Sequence, residues 1–140
     1  MTRRTLQCGI MPKEDFIQRT IAIAKGEYKP SPDEPKVWFE SPLSMAKVLS
    51  RENMELLKVI VTQKPKSIAA LAELSGRAKS NLSRTLKTMS RYGIVQLKKQ
   101  GGTVVPIVMA TDFNCRFGLG SYWPNIGDDK RDHAEHADQT

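Results

Sequence analysis

Between residues 50 and 110, residues that start, stop or turn a chain recur at short intervals, leaving room only for short elements. Ser50 can cap a helix from Arg51 to about Thr62, with Met54, Leu57, Ile60 and Val61 on its buried face. Pro65 closes it. Ser67 caps a second short helix whose apolar residues are Ile68, Leu71, Ala72 and Leu74, and Ser75-Gly76 breaks it with a tight turn. A third helix is predicted from Ala78 to about Tyr92, with Gly93 as its C-terminal stop. Its two faces differ sharply. Ala78, Leu82, Thr85, Leu86 and Met89 share one, and Lys79, Ser80, Ser83, Arg84, Lys87 and Arg91 share the other. Ile94, Val95 and Leu97 then read as a strand, Gln100-Gly101-Gly102-Thr103 as a hairpin turn, and Val104 to Ala110 as the returning strand. Pro106, with no N–H to donate, places that strand at an edge.

The flanks are less regular. Residues 1–12 read as irregular, and a helix is predicted from Lys13 to Lys25 with an apolar stripe of Phe16, Ile17, Thr20, Ile21 and Ala24. That stripe needs a partner, either the body of the chain or a second subunit. Residues 28–36 hold three prolines and read as a linker. Val37, Trp38 and Phe39 follow as a short strand, and a short helix runs from Ser44 to Leu49. Beyond Thr111 we expect Phe113, Phe117, Leu119, Tyr122 and Trp123 to tuck onto the body. The expected division is a helical arm and linker over residues 1–36, a central module over 37–110, an extension over 111–126 and a disordered acidic tail over 127–140.

The charge is unevenly spread. The net charge is +7, yet the stretch from Lys58 to Gln100 alone carries +9, with Glu73 as its only acid. Residues 127–140 carry −3. A one-sided basic patch of this kind points to a polyanion. No apolar run reaches the roughly 18 residues of a membrane span. Arg3 and Arg4 are followed only by a short mixed stretch, unlike a secretory signal, so we expect a cytoplasmic protein that meets no membrane. Cys8 and Cys115 are expected to be free thiols.

Helix, short helix, turn, helix and two-stranded hairpin, in that order, form the plan of a winged helix-turn-helix. The fold class expected is therefore mainly α with a small β-hairpin, carrying an N-terminal helical extension. In that plan the second helix of the motif enters the major groove of double-stranded DNA with its N-terminal residues at the base edges. Lys79, Ser80, Asn81 and Arg84 are the expected base readers, since Arg can bond guanine and Asn adenine through two atoms each. Arg77, Ser83 and Lys87 are placed nearer the phosphates. Lys98 and Lys99, beside the Gly-Gly tip, are placed on the wing, where they would reach flanking DNA.

The same stretch resembles a family. Ser50-Arg51 with Glu55-Leu56-Leu57, then Ser67, Leu71-Ala72, Gly76-Arg77 and Gly93-Ile94-Val95, is similar to MarR-like winged-helix DNA-binding proteins of haloarchaeal and bacterial type. Phe39-Glu40-Ser41 fits as well, so the resemblance covers about Val37 to Ala110. The family includes antitoxins paired with TumE-type toxins. The resemblance implies an antitoxin that represses its own operon and binds a cognate toxin. A homodimer is expected on separate grounds, because a single module of this size binds weakly and two-fold pairing doubles the readout. Asn53-Met54 and the acidic tail depart from the shared pattern.

Other chemistry is poorly represented. His133 and His136 form H-x-x-H but have no cysteine beside them, so no metal or other cofactor is expected. With both histidines near the C-terminus, a serine or cysteine nucleophile in the body lacks its base, and the chain is not expected to be an enzyme. Trp38 and Trp123 read as core or interface anchors. Two readings compete with duplex binding. One is a protein-interaction module in which the N-terminal arm or the C-terminal aromatics clamp a partner such as a toxin. The other is RNA binding, disfavoured by the few aromatics among the basic residues. For a dimer, the candidate interface is the N-terminal helix with residues 37–49.

Overall fold

The computed structural model describes residues 2–119. Among these the chain is mixed α/β, with five helices and five strands. They run β1 (Thr5–Ile10), α1 (Lys13–Ala24), β2 (Val37–Phe39), α2 (Pro42–Val48), α3 (Arg51–Gln63), α4 (Ile68–Ser75), α5 (Lys79–Arg91), β3 (Val95–Gln100), β4 (Thr103–Val108) and β5 (Asp112–Arg116). The mainly α expectation is corrected by β1 and β5, neither of which the sequence pattern signals. Residues 1–12 carry no clean alternation, and the signal fades after Thr111. The chain divides into two compact units, Leu43–Asn114 with residues 2–6, and Gln7–Pro42 with the described residues from Cys115 onward.

The first unit holds the three consecutive helices. Ser50 and Ser67 start α3 and α4, their hydroxyl oxygens accepting the N–H of Asn53 at 3.2 Å and of Ala70 at 2.9 Å. Each such cap satisfies a donor that has no partner within the helix, worth about 1 kcal/mol. Gly76 ends α4 at φ 74°, a left-handed conformation open to glycine at no steric cost, and its N–H reaches Ala72 O. The apolar sides of these helices and the hairpin close on one core. Leu56, Leu57, Ile60, Leu71, Leu82, Leu86, Met89, Ile94, Val95 and Val108 are buried there, with Phe113 packed against them. Each fully buried aliphatic side chain contributes about 1.5–3 kcal/mol. β3 and β4 pair antiparallel through a two-residue turn of Gly101 and Gly102, both at positive φ, which is the geometry that matches strand twist. Pro106 sits opposite Leu97 in this two-stranded sheet, where every strand is an edge.

The second unit is built differently from the expected arm and linker. β1 and β2 pair in parallel, Cys8 against Val37 and Ile10 against Phe39, with α1 between them in sequence. The three-stranded sheet has the order β2-β1-β5. Cys8, Met11, Ala22 and Phe39 are buried. The proline-rich stretch is no simple linker, because Glu34 is buried and its Oε2 accepts a 2.7 Å bond from Arg19 Nη2. The Arg19 guanidinium also lies 5.1 Å from the Trp38 ring centre and 5.7 Å from that of Tyr28. α1 therefore turns inward on Arg19 and Ala22, and not on its apolar stripe. Cys8 and Cys115 are both free thiols. Phe117 and Leu119 are exposed, which corrects the expectation that they tuck onto the body. Tyr122, Trp123 and residues 127–140, with His133 and His136, lie outside the described residues.

Candidate nucleic-acid interface

α5 is fixed from within. Leu82, Leu86 and Met89 recur at i, i+4 and i+7 and are fully buried, so the opposite side of the helix must face outward. Ser80, Arg84, Lys87 and Arg91 fall at i, i+4, i+7 and i+11 and run along that outer side. Thr88 and Ser90, both half-buried, turn their hydroxyls back to the helix, donating to Arg84 O at 3.1 Å and to Lys87 O at 2.8 Å. Lys79, Ser80, Asn81, Ser83, Arg84 and Lys87 are all exposed. Lys79 to Lys87 spans about 12 Å of helix axis at 1.5 Å per residue.

These cations are not neutralised by the protein. The ion pairs among the described residues join Arg3 to Asp112, Arg19 to Glu34 and Lys58 to Glu55. None involves Lys79, Arg84, Lys87, Lys98 or Lys99. The first turn of α5 carries no acid either. Their field therefore acts on whatever lies outside, and Glu73 on α4 is the sole carboxylate from Lys58 to Gln100.

Arg77 has a different place from the one expected. Its Nη2 donates to Glu52 O at 2.6 Å and its Nη1 to Asn53 Oδ1 at 3.2 Å, so the guanidinium is committed to the start of α3. Asn53 in turn donates to Val48 O at 3.0 Å and to Lys47 O at 3.3 Å. Arg77 N donates to Ser75 Oγ at 3.2 Å. The connection between α4 and α5 is thus tied to α3 and to the end of α2, and Arg77 positions the helix. Asn53 stood out in the sequence only as a departure from the family pattern, with no role assigned; its place three residues after the capping Ser50 was the signal for one.

Lys47 was passed over in the sequence. With Val48, Asn53, Arg84 and Thr88 it lines a shallow groove of about 200 Å³ along α5. Lys98 and Lys99 are exposed on β3, close in sequence to the Gly-Gly turn, and pair in register with Val105 and Val104. A family model described as HVO_A0114 matches residues 48–114. The matched span contains α3, α4, α5, β3 and β4 whole, and with them all nine candidate residues. No curated protein and no solved structure matches the chain. Among the described residues no helix is long and apolar enough to cross a membrane, and no group of three or more His, Cys, Asp or Glu could hold a metal ion.

Proposed function

We propose that the chain is a DNA-binding transcriptional regulator of winged helix-turn-helix type, in which α5 enters the major groove and the β3–β4 hairpin serves as the wing. One observation carries the reading. Lys79, Asn81 and Arg84 stand exposed and unpaired on a helix whose other side is locked into the core by Leu82, Leu86 and Met89. A preformed helix lets donors meet base edges without the cost of ordering their backbone.

In this reading Arg84 and Asn81 bond base edges, and Lys79 and Ser80 assist at the start of the helix. Lys87, Ser83, Lys98 and Lys99 hold phosphates, which supplies affinity but no sequence information. Lys47, beside Arg84, adds a further cation to the same face. Repression would follow from a dimer occupying a promoter. The order of α3, α4, α5 and the hairpin supports the fold type, and the unneutralised charge supports the ligand. A double-stranded partner is favoured over single-stranded RNA because Lys79 to Lys99 includes one aromatic, Tyr92, and it is half-buried.

Fluorescence anisotropy with a duplex selected from random sequence tests this. Lys79→Ala with Arg84→Ala should weaken binding about 100-fold or more, since each good bidentate base contact is worth about 1–3 kcal/mol. The thermal midpoint should stay the same, because both side chains are exposed and unpaired. Unchanged affinity in a folded double variant would remove α5 from the interface.

A further inference from the structure

We infer that Cys8 and Cys115 are a redox couple, two thiols that a peroxide joins as a reversible disulfide between β1 and β5. The chain has two cysteines, far apart in sequence, and the fold sets them side by side. β5 lies beside β1 in the three-stranded sheet. Arg4 O, just before β1, accepts the N–H of Thr111, just before β5, at 2.9 Å. Cys8 is four residues beyond Arg4 and Cys115 four beyond Thr111, so both sit at the same level of the paired strands. A hydrogen bond joins the two thiols. Adjacent strands lie about 4.7–4.9 Å apart, within the Cα separation of about 4.4–6.8 Å that a disulfide spans. Both residues belong to the second unit, and both are reduced.

Their surroundings set the order of events. Cys115 is half-buried, whereas Cys8 is 1% exposed. Burial first, and the neighbouring Cys115 second, keep Cys8 protonated. Thiolates attack peroxides and thiols do not, so oxidation starts at Cys115. Its sulfur bonds one oxygen of hydrogen peroxide, the O–O bond breaks, and Cys115 becomes a sulfenic acid with release of one water. The Cys8 sulfur then bonds the Cys115 sulfur. The S–O bond breaks, and the departing hydroxide takes the Cys8 proton as a second water. Each sulfur gives up one electron, and the peroxide takes both. A dithiol returns both cysteines to thiols by thiol–disulfide exchange.

Intact-mass spectrometry on the full chain tests it. Equimolar hydrogen peroxide should remove the mass of two hydrogen atoms from a single chain, together with both thiols that a maleimide labels after denaturation. Dithiothreitol should restore them. The urea midpoint should rise on oxidation, because the disulfide closes a loop that holds the whole matched span, residues 48–114. Cys8→Ser should stop at a sulfenic acid on Cys115, which dimedone traps. In Cys115→Ser, peroxide should consume Cys8 about tenfold or more slowly than it consumes Cys115 in Cys8→Ser. Wild-type chains that keep both thiols, that join only to one another, or that unfold no less readily once oxidised overturn the inference. So does a Cys8 that reacts as fast alone as Cys115 does. The wild-type readings need no variant to fold. None of these measurements involves DNA, so the redox couple and duplex binding stand or fall separately.

Discussion

Tyr28 reports on the most unusual feature of the second unit, a buried arginine and glutamate. The Tyr28 hydroxyl donates to Glu34 Oε1, whose other oxygen accepts from Arg19. Burial first, and the bond to the Glu34 carboxylate second, push the phenol from its ordinary value of 10.0 up to about 12, with Arg19 pulling weakly the other way. The folded state therefore keeps a proton that the unfolded state gives up. The resulting stability is fully present below pH 10 and is lost as pH rises through about 12. Urea titrations across that window should show wild type losing stability faster than Tyr28→Phe, which has no proton to lose. Parallel losses would mean that the phenol is not held by Glu34. The thiol of Cys8 is likewise pushed up to about 12, by burial first and then by the neighbouring Cys115.

At the scale of the element, α5 depends on how its start is held. Ala78, the residue before it, offers no side-chain cap. The bonds from Arg77 to Glu52 O and Asn53 Oδ1 replace that missing anchor. Arg77→Ala should lower stability by about 1–3 kcal/mol, because it removes charge-assisted bonds and strands their acceptors. It should weaken duplex binding as well. Lys79→Ala with Arg84→Ala should change affinity alone, so thermal melts of the two variants separate positioning from contact. Equal melts for wild type and Arg77→Ala would show that the tie is idle. The exposed side of α5 was legible because a 3.6-residue period and two polar faces leave one solution once the apolar face is buried. The role of Arg77 was not, because its partners lie 24 and 25 residues away and one of them is a main-chain carbonyl. α1 shows a different limit. Apolar spacing marks a helix correctly, but it leaves open whether Phe16, Ile17 and Ile21 take the inward side. Arg19 takes that side because Glu34 and the Trp38 ring compensate its charge. β1 and β5 escaped notice because a three-stranded sheet can form from strands far apart in the chain with little alternation in either.

For the whole molecule, the excess of positive charge is concentrated where the matched span lies, and the acids collect elsewhere. A protein that neutralises duplex phosphates releases bound counterions, so its affinity falls linearly with salt on logarithmic axes. The slope counts the contacts, at about 0.9 per phosphate. The most direct measurement is this slope, taken for wild type and for Lys98→Ala with Lys99→Ala on the same duplex. If the exposed cations of α5 and the hairpin grip the backbone, wild-type binding weakens steeply with salt and the double substitution flattens the slope by about 2 per bound chain. A wild-type affinity indifferent to salt would contradict the account.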